Sequence, residues 1–152
     1  MMSGSISKRV VSDRLAWIER MLGEIRTLPL ADRDSFFADY RNIGTAESCL
    51  RRSLEALFDL GRHILAKGFG SGVSEYKEIA LELKERGVLS EADAGLLREL
   101  AGYRNRLVHF YHEVEPNELY EICVSQLADV ERIALTCRDW LKSHPDYWDE
   151  TL

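Results

Sequence analysis

The sequence is poor in the residues and segments that hold small secreted domains together or anchor a chain in a membrane. Its 152 residues include only 3 Cys and 3 Pro, and no two cysteines have the CxxC spacing of a zinc site. No apolar run approaches the roughly 18–20 residues that a membrane-spanning helix needs, and the first residues lack the apolar core of a secretory signal. We therefore expect a cytoplasmic protein whose cysteines, Cys49, Cys123 and Cys137, are reduced thiols of the core.

The chain also lacks an excess of positive charge. Twenty Lys and Arg stand against 26 Asp and Glu, so the formal net charge is −6. Such a balance excludes a protein that coats nucleic acid through a broadly basic surface, but it leaves room for a small basic site. A chain of this length forms one domain and buries about 70% of its unfolded surface.

The apolar residues recur with the spacing of helices rather than of strands. The first stripe, which Pro29 ends, comprises Val11, Leu15, Ile18, Leu22 and Ile25. Four further helices are predicted, from about Asp39 to Lys67, from a cap at Ser74 to Arg86, from a cap at Ser90 to about Phe110, and from Pro116 to Leu141. Gly87 stands where a left-handed helix end is expected. The fold class is therefore all-α, a bundle of four to five helices.

Positive charge is concentrated in one stretch, residues 98–112. Three arginines and two histidines stand there against the single Glu99. On an ideal helix Arg104 falls in the middle of the apolar stripe, where an unpaired guanidinium is costly. It is therefore expected either to reach solvent along its aliphatic stem, to pair with an acid such as Asp59 or Glu55, or to serve a functional site.

His109 follows Arg104 by five residues, which is about 140° around an ideal helix. The two side chains cannot converge on one undistorted helix. Either the helix unwinds near its end, or two copies of the motif meet across a two-fold axis.

An arginine and a histidine together suit one chemistry in particular. A histidine of near-neutral pKa transfers a proton, and a fixed arginine holds a phosphate and stabilises the charge of its transition state. This combination fits RNA cleavage without a metal, in which the ribose 2′-hydroxyl attacks the adjacent phosphate. The four histidines show no zinc-like spacing beyond the pair His109 and His112, and neither a metal nor a cofactor is predicted.

The run from Arg104 to Tyr111 resembles the Arg-x4-His-x-Tyr motif of the HepT-type HEPN (higher eukaryotes and prokaryotes nucleotide-binding) family. Four other segments of the chain also resemble segments of this family and occur in the same order, namely 54–64, 76–78, 87–89 and 119–122. The resemblance therefore spans roughly residues 8–142. It implies a homodimeric five-helix HEPN bundle and a metal-independent ribonuclease toxin. It also implies a partner, an MNT-type nucleotidyltransferase antitoxin that transfers AMP onto the motif tyrosine.

The resemblance assigns roles to individual residues. Arg104 would bind the scissile phosphate, His109 would transfer the proton, Asn105 would help to position the site, and Tyr111 would receive AMP. Asp59 is a candidate support for the arginine, although an ion pair with Arg62 or His63 is an equal alternative.

The domain boundaries follow from these assignments. We expect a flexible N-terminus at 1–7, the HEPN domain at 8–144 and an acidic tail at 145–152. The alternative to the toxin is a non-catalytic HEPN module that binds nucleotide or presents substrate beside a nucleotidyltransferase. A helical scaffold with no site is a third possibility.

Overall fold

A computed structural model describes residues 5–109 and 115–149 of the chain, although not the side chain of His109. Within these ranges the protein is helical, with one isolated bridge between Ile6 and Trp148, which confirms the all-α fold class. The elements are α1 (Lys8–Arg26), α2 (Arg33–Ala38), α3 (Tyr40–Phe69), α4 (Tyr76–Glu85), α5 (Glu91–His109), α6 (Pro116–Ser125), α7 (Leu127–Ser143) and a 3-10 turn (Pro145–Tyr147). None of the described helices is long and apolar enough to cross a membrane.

Two helices were not expected from the sequence. The six-residue α2 is too short to show a helical period, and it is capped by the Asp32 side chain and anchored by the fully buried Phe36. The predicted fifth helix is divided at Gln126, whose backbone departs from helical geometry at φ −121° and ψ −1°. Both halves still bury their apolar residues, so the predicted apolar face is confirmed and only the interruption is not predicted by the sequence.

Most helix ends follow the sequence signals. The Ser90 hydroxyl accepts the Asp93 N–H at the start of α5, and Pro116 occupies the first turn of α6. Gly87 has the predicted left-handed conformation, at φ 77°. Ser74 is not the cap of α4, because the helix begins one residue later and Glu75 holds the cap position without a side-chain hydrogen bond.

The long helix α3 is the centre of the bundle and packs against α1, α2, α4, α5, α6 and α7. Gly61 explains how closely α4 approaches it. A Cβ atom at this position would lie 3.0 Å from Leu83 Cδ1 and 3.1 Å from Ile79 Cγ2. The absence of a side chain therefore lets α4 lie directly on α3, and this contact brings the start of α4 toward the motif helix.

The three cysteines are buried, as predicted. Burial raises the pKa of both Cys123 and Cys137 to about 12, so these thiols stay protonated at neutral pH. They contribute packing rather than reactivity.

Residues 5–7 and 147–149 meet beside α3, which for residues 5–7 differs from the expectation of a flexible N-terminus at 1–7. Ile6 is 1% exposed, its N–H donates to the Tyr147 carbonyl at 2.9 Å, and its carbonyl accepts the Asp149 N–H at 2.8 Å. Ile6 stands alone among polar residues and therefore shows no helical or strand period in the sequence. Its side chain nevertheless fills the space that Gly68 leaves open on α3. Residues 5–7 are therefore part of the packed domain.

His63 links this end of the chain to α3 and predicts a pH dependence of stability. Its Nε2 accepts the Ser7 N–H at 3.0 Å, and burial, aided by Lys67 and Arg14, lowers the pKa of the imidazole below its ordinary 6.5. Because the unfolded chain then binds the proton more readily, the free energy of unfolding should fall as the pH drops below about 6.5, and level off below the folded-state pKa.

Urea unfolding measured between pH 7.5 and 5.5 checks this expectation. His63→Gln keeps an acceptor that does not titrate, so its stability should decline less over the same pH range. Parallel pH profiles for the two proteins would show that His63 is not the group responsible.

Candidate active site on the motif helix

Arg104 lies on the inner side of α5, where its side chain is only 18% exposed. Its Nη2 donates to Glu55 Oε2 at 2.9 Å, and its guanidinium carbon lies 4.6 Å from the centre of the Tyr76 ring. A third contact, from Nη1 to Asn105 Oδ1, is long at 3.4 Å. Two different helices, α3 and α4, therefore hold the guanidinium by an ion pair and a cation–π contact.

The guanidinium of Arg104 still has unused donor capacity. Its Nε is buried and has no hydrogen-bond partner among the described residues. An arginine has five N–H donors, and only the bond to Glu55 is short. An oxyanion at this arginine would accept from the Nη N–H groups that Glu55 and Asn105 leave unused, since Nε itself is buried.

Glu55 and Asp59, one turn apart on α3, have different partners. Glu55 accepts from Arg104 and also from Arg51, the latter at 3.0 Å. Asp59 pairs with Arg62, and its Oδ2 lies 3.9 Å from Arg14 Nε. Glu55 is therefore the acid beside the site arginine, and the expected support from Asp59 is not seen as a contact.

Tyr76 is itself held in place by the core. Its ring stacks on Phe58 with centroids 4.3 Å apart and an interplanar angle of 7°. Burial raises the pKa of the Tyr76 hydroxyl; Arg104 opposes the shift, while Asp59 and Glu55 add to it. The ring thus remains a neutral phenol that presents its face to the guanidinium.

The other arginines of the basic stretch 98–112 are directed elsewhere. Arg106 Nη2 donates to Glu118 Oε1 on α6 at 2.5 Å. Arg98 lines a cavity of about 450 Å³ between α4 and α5, together with the carboxylates of Glu75, Glu78 and Glu91. The stretch therefore does not act as one basic surface, because Arg104 pairs with an acid of α3, Arg106 with an acid of α6, and Arg98 lines the cavity beside α4.

The remaining motif residues are at the edge of what the structure describes. His109 is the last residue of α5, and the helix is continuous from Arg104 to it. Tyr111 and His112 lie outside the described residues. No group of three or more His, Cys, Asp or Glu side chains is placed to hold a metal in the described part of the chain.

Sequence reasoning missed the role of Tyr76 and left that of Glu55 open. Tyr76 is separated from the motif by a turn and most of another helix, and no local spacing connects them. The sequence feature that could have indicated such partners is Arg104 itself, because an arginine in an apolar stripe requires partners from neighbouring helices.

Residues 18–136 match the sequence profile of the family described as Ribonuclease HepT-like. A tRNA nuclease HepT of Aphanizomenon flos-aquae is 28% identical over 117 residues, which covers 76% of this chain and 79% of that protein. The fold resembles that of the tri-AMPylated Shewanella oneidensis HEPN toxin in complex with MNT antitoxin, with a TM-score of 0.77 and 20% identity over 86% of this chain and 97% of that one. It also resembles the cytosolic protein YutE of Bacillus subtilis, of unknown function, with a TM-score of 0.73 and 18% identity over 88% and 90% of the two chains. Since the profile match spans most of the sequence, the chain belongs to the HepT-like ribonuclease family.

Proposed function

We propose that this protein is a metal-independent ribonuclease that acts in the cytoplasm as the toxin of a toxin–antitoxin pair. The observation that carries the proposal is Arg104. Its guanidinium is held at two points, by Glu55 and by Tyr76, and retains unused N–H donors. This is the arrangement that a phosphate-binding arginine needs.

The reaction is an internal transesterification of RNA, by an endo- or exonucleolytic cut. The 2′-hydroxyl loses its proton to solvent water and attacks the adjacent phosphorus, and the bond to the 5′-oxygen of the next nucleotide breaks. Arg104 stabilises the negative charge that accumulates on the phosphate oxygens, and His109 gives a proton to the departing 5′-oxygen. Asn105 positions the guanidinium. The products are a 2′,3′-cyclic phosphate and a 5′-hydroxyl.

A homodimer completes the site in this proposal. The helix runs without interruption from Arg104 to His109, so on one protomer the two positions are about 140° apart around its axis. Unwinding between them is not observed, which favours the alternative of two motif helices meeting across a two-fold axis. Arg104 of one copy would then work with the motif histidine of the other.

Regulation would act on Tyr111. We propose that an MNT-type nucleotidyltransferase antitoxin transfers AMP to its hydroxyl. The tri-AMPylated Shewanella toxin, bound to its MNT antitoxin, supports this by its similar fold. AMP would add negative charge and bulk two residues after His109, where it can pair with Arg104 and repel the RNA backbone. Intact mass after co-expression with the antitoxin, mapped by peptide analysis, checks whether AMP is on Tyr111.

The central test is RNA cleavage by the purified protein alone, in EDTA, with analysis of the new ends. We expect cleavage without a divalent cation and cyclic-phosphate termini. A requirement for a metal would contradict the mechanism. Absence of cleavage together with nucleotide binding would favour the non-catalytic HEPN module.

Substitution of Glu55 is expected to change kcat and KM in different ways. Glu55→Gln removes the charged partner of Arg104, so the guanidinium is less well positioned and kcat should fall by about tenfold. The same change removes a negative charge near the RNA phosphate, so KM should not rise and should decrease at low salt. Steady-state cleavage of a fluorogenic RNA measures both constants.

Glu118→Gln is the matched control, because it removes the partner of Arg106 on the far side of α5. It should leave kcat within about twofold. Equal effects of the two substitutions would show that Glu55 has no special relation to the site.

A further inference from the structure

A shallow groove between α1 and α3 lies directly beside the Arg104 ion pair. We call it the α1/α3 groove; it has a volume of about 270 Å³ and is lined by Arg14, Trp17, Arg52, Glu55, Ala56 and Asp59. Glu55 forms part of its wall and also accepts the hydrogen bond from Arg104 Nη2 at 2.9 Å. The groove and the Arg104 guanidinium are therefore separated by a single shared side chain, that of Glu55.

The ion pairs around the groove leave the Arg52 guanidinium available to an anion although the protein is acidic. Its two carboxylates are already paired, Glu55 with Arg51 and Arg104, and Asp59 with Arg62 and more distantly with Arg14. Arg52 is exposed and has no ion partner among the described residues. The lining itself holds two arginines against these two carboxylates, and the further arginines that pair with the carboxylates lie outside it, in a molecule of net charge −6. Such a site attracts a polyanion locally.

The groove also carries an exposed aromatic ring. Trp17 is 38% exposed on the outer side of α1, and the Arg20 guanidinium lies 5.7 Å from its ring centre. Tryptophan is highly buried on average, whereas here the ring lines a groove together with Arg14 and Arg52. A ring flanked by arginines is the combination that binds single-stranded nucleic acid by base stacking and phosphate contacts.

We propose that the α1/α3 groove binds the nucleotide adjoining the scissile phosphate of a single-stranded RNA. Its base stacks on Trp17, and Arg52, with Arg14, contacts its phosphate. This proposal rests on the proposed ribonuclease function and adds a second contact region to it. The volume lies just below the range of about 300–1,000 Å³ for small-molecule pockets, which suits one unit of a longer chain better than a separate ligand.

The test uses the His109→Ala protein, which is expected to bind RNA without cutting it. Affinity for a short, fluorescein-labelled single-stranded RNA is measured by anisotropy in EDTA over a range of salt concentrations. Adding Trp17→Leu should weaken binding by about tenfold, whereas Trp17→Phe retains a stacking surface and should stay within about threefold. Adding Arg52→Gln should reduce the slope of log Kd against log salt by about 0.7, as expected for one lost phosphate contact with a single strand.

Arg98→Gln is the matched control for charge. It removes one arginine from the cavity between α4 and α5 and should leave both affinity and salt slope unchanged. Melting curves for all variants ensure that a loss of affinity does not reflect unfolding.

Several results would overturn the proposal. If Trp17→Leu and Arg52→Gln bind RNA as the parent does while the unsubstituted protein cleaves it, the groove is not a subsite and the ribonuclease function stands. If Trp17→Leu changes the oligomeric mass and leaves RNA affinity intact, the face is an interface between copies of this chain. If the unsubstituted protein neither cleaves nor binds RNA, the proposed function fails and the groove assignment fails with it.

Discussion

Arg104→Ala and His109→Ala are each expected to lower the rate of RNA cleavage by about 10²–10⁴-fold, the usual contribution of a general acid or of a group that stabilises transition-state charge. Arg104 meets α3 and α4 through Glu55 and Tyr76, so its removal takes away the fixed positive charge of the site. Cleavage of labelled RNA in EDTA, followed over time, measures the loss.

Arg106→Ala is the control for the arginine. Arg106 lies two residues after Arg104 on the same helix and pairs with Glu118 on α6. The Arg106→Ala variant should therefore retain cleavage within about threefold of the unsubstituted rate. Full activity of both Arg104→Ala and His109→Ala would contradict the assignment of the site.

Mixing the two inactive variants tests whether the site is shared between protomers. If Arg104 of one copy works with the motif histidine of the other, a mixed dimer of Arg104→Ala and His109→Ala contains one intact site. Random exchange of protomers should then restore about a quarter of the unsubstituted activity. If both residues act within one protomer, every site in the mixture is broken and no activity returns.

Phe58→Ala is expected to lower the free energy of unfolding by about 3–5 kcal/mol, which is a large share of the roughly 5–15 kcal/mol of a typical domain. Phe58 is fully buried on the central helix and stacks on Tyr76. Its removal leaves a cavity between α3 and α4, and it also withdraws the support of the ring that contacts Arg104. Urea unfolding followed by circular dichroism measures the change.

Leu81→Ala is the control for stability. Leu81 is on α4 and is 51% exposed, so its truncation should cost no more than about 0.5 kcal/mol. A cost below about 1 kcal/mol for Phe58→Ala would show that the stacked pair is not a structural centre of the bundle.

The helices could be predicted because their signals are local. Apolar residues three and four apart must share a face, and capping residues act within one turn, so the stripes, Ser90, Gly87 and Pro116 were read correctly. The interruption at Gln126 and the burial of Ile6 escaped prediction because they depend on what packs against these residues. Neither feature produces a periodic pattern of apolar residues in the sequence.

The candidate site divides in the same way. An arginine within an apolar stripe had to find partners, and the motif itself indicated Arg104 and His109 without any structure. Whether Asp59 or Glu55 would be the partner was open, since the two are one turn apart and equally acidic. The packing of α3 against α5 decided it, over a separation of 49 residues.

The charges of the basic stretch at 98–112 show that a cluster of charge in the sequence does not predict a charged surface in the structure. Adjacent charges in a sequence point in different directions on a helix, so Arg98, Arg104 and Arg106 reach three different neighbours. The cluster of arginines around Glu55 and Asp59 is drawn instead from α1, α3 and α5, which are far apart in the chain.

The amino-acid sequence by itself determined the all-α fold, the helix boundaries near caps and breakers, the buried thiols and the motif, because each depends on residue type and short-range spacing. Only the tertiary structure decided that Glu55 and Tyr76 hold Arg104, and that Trp17 and Arg52 line one groove with Glu55. The reason is geometric: these contacts join helices distant in sequence, and the packing of the core sets which side chains meet.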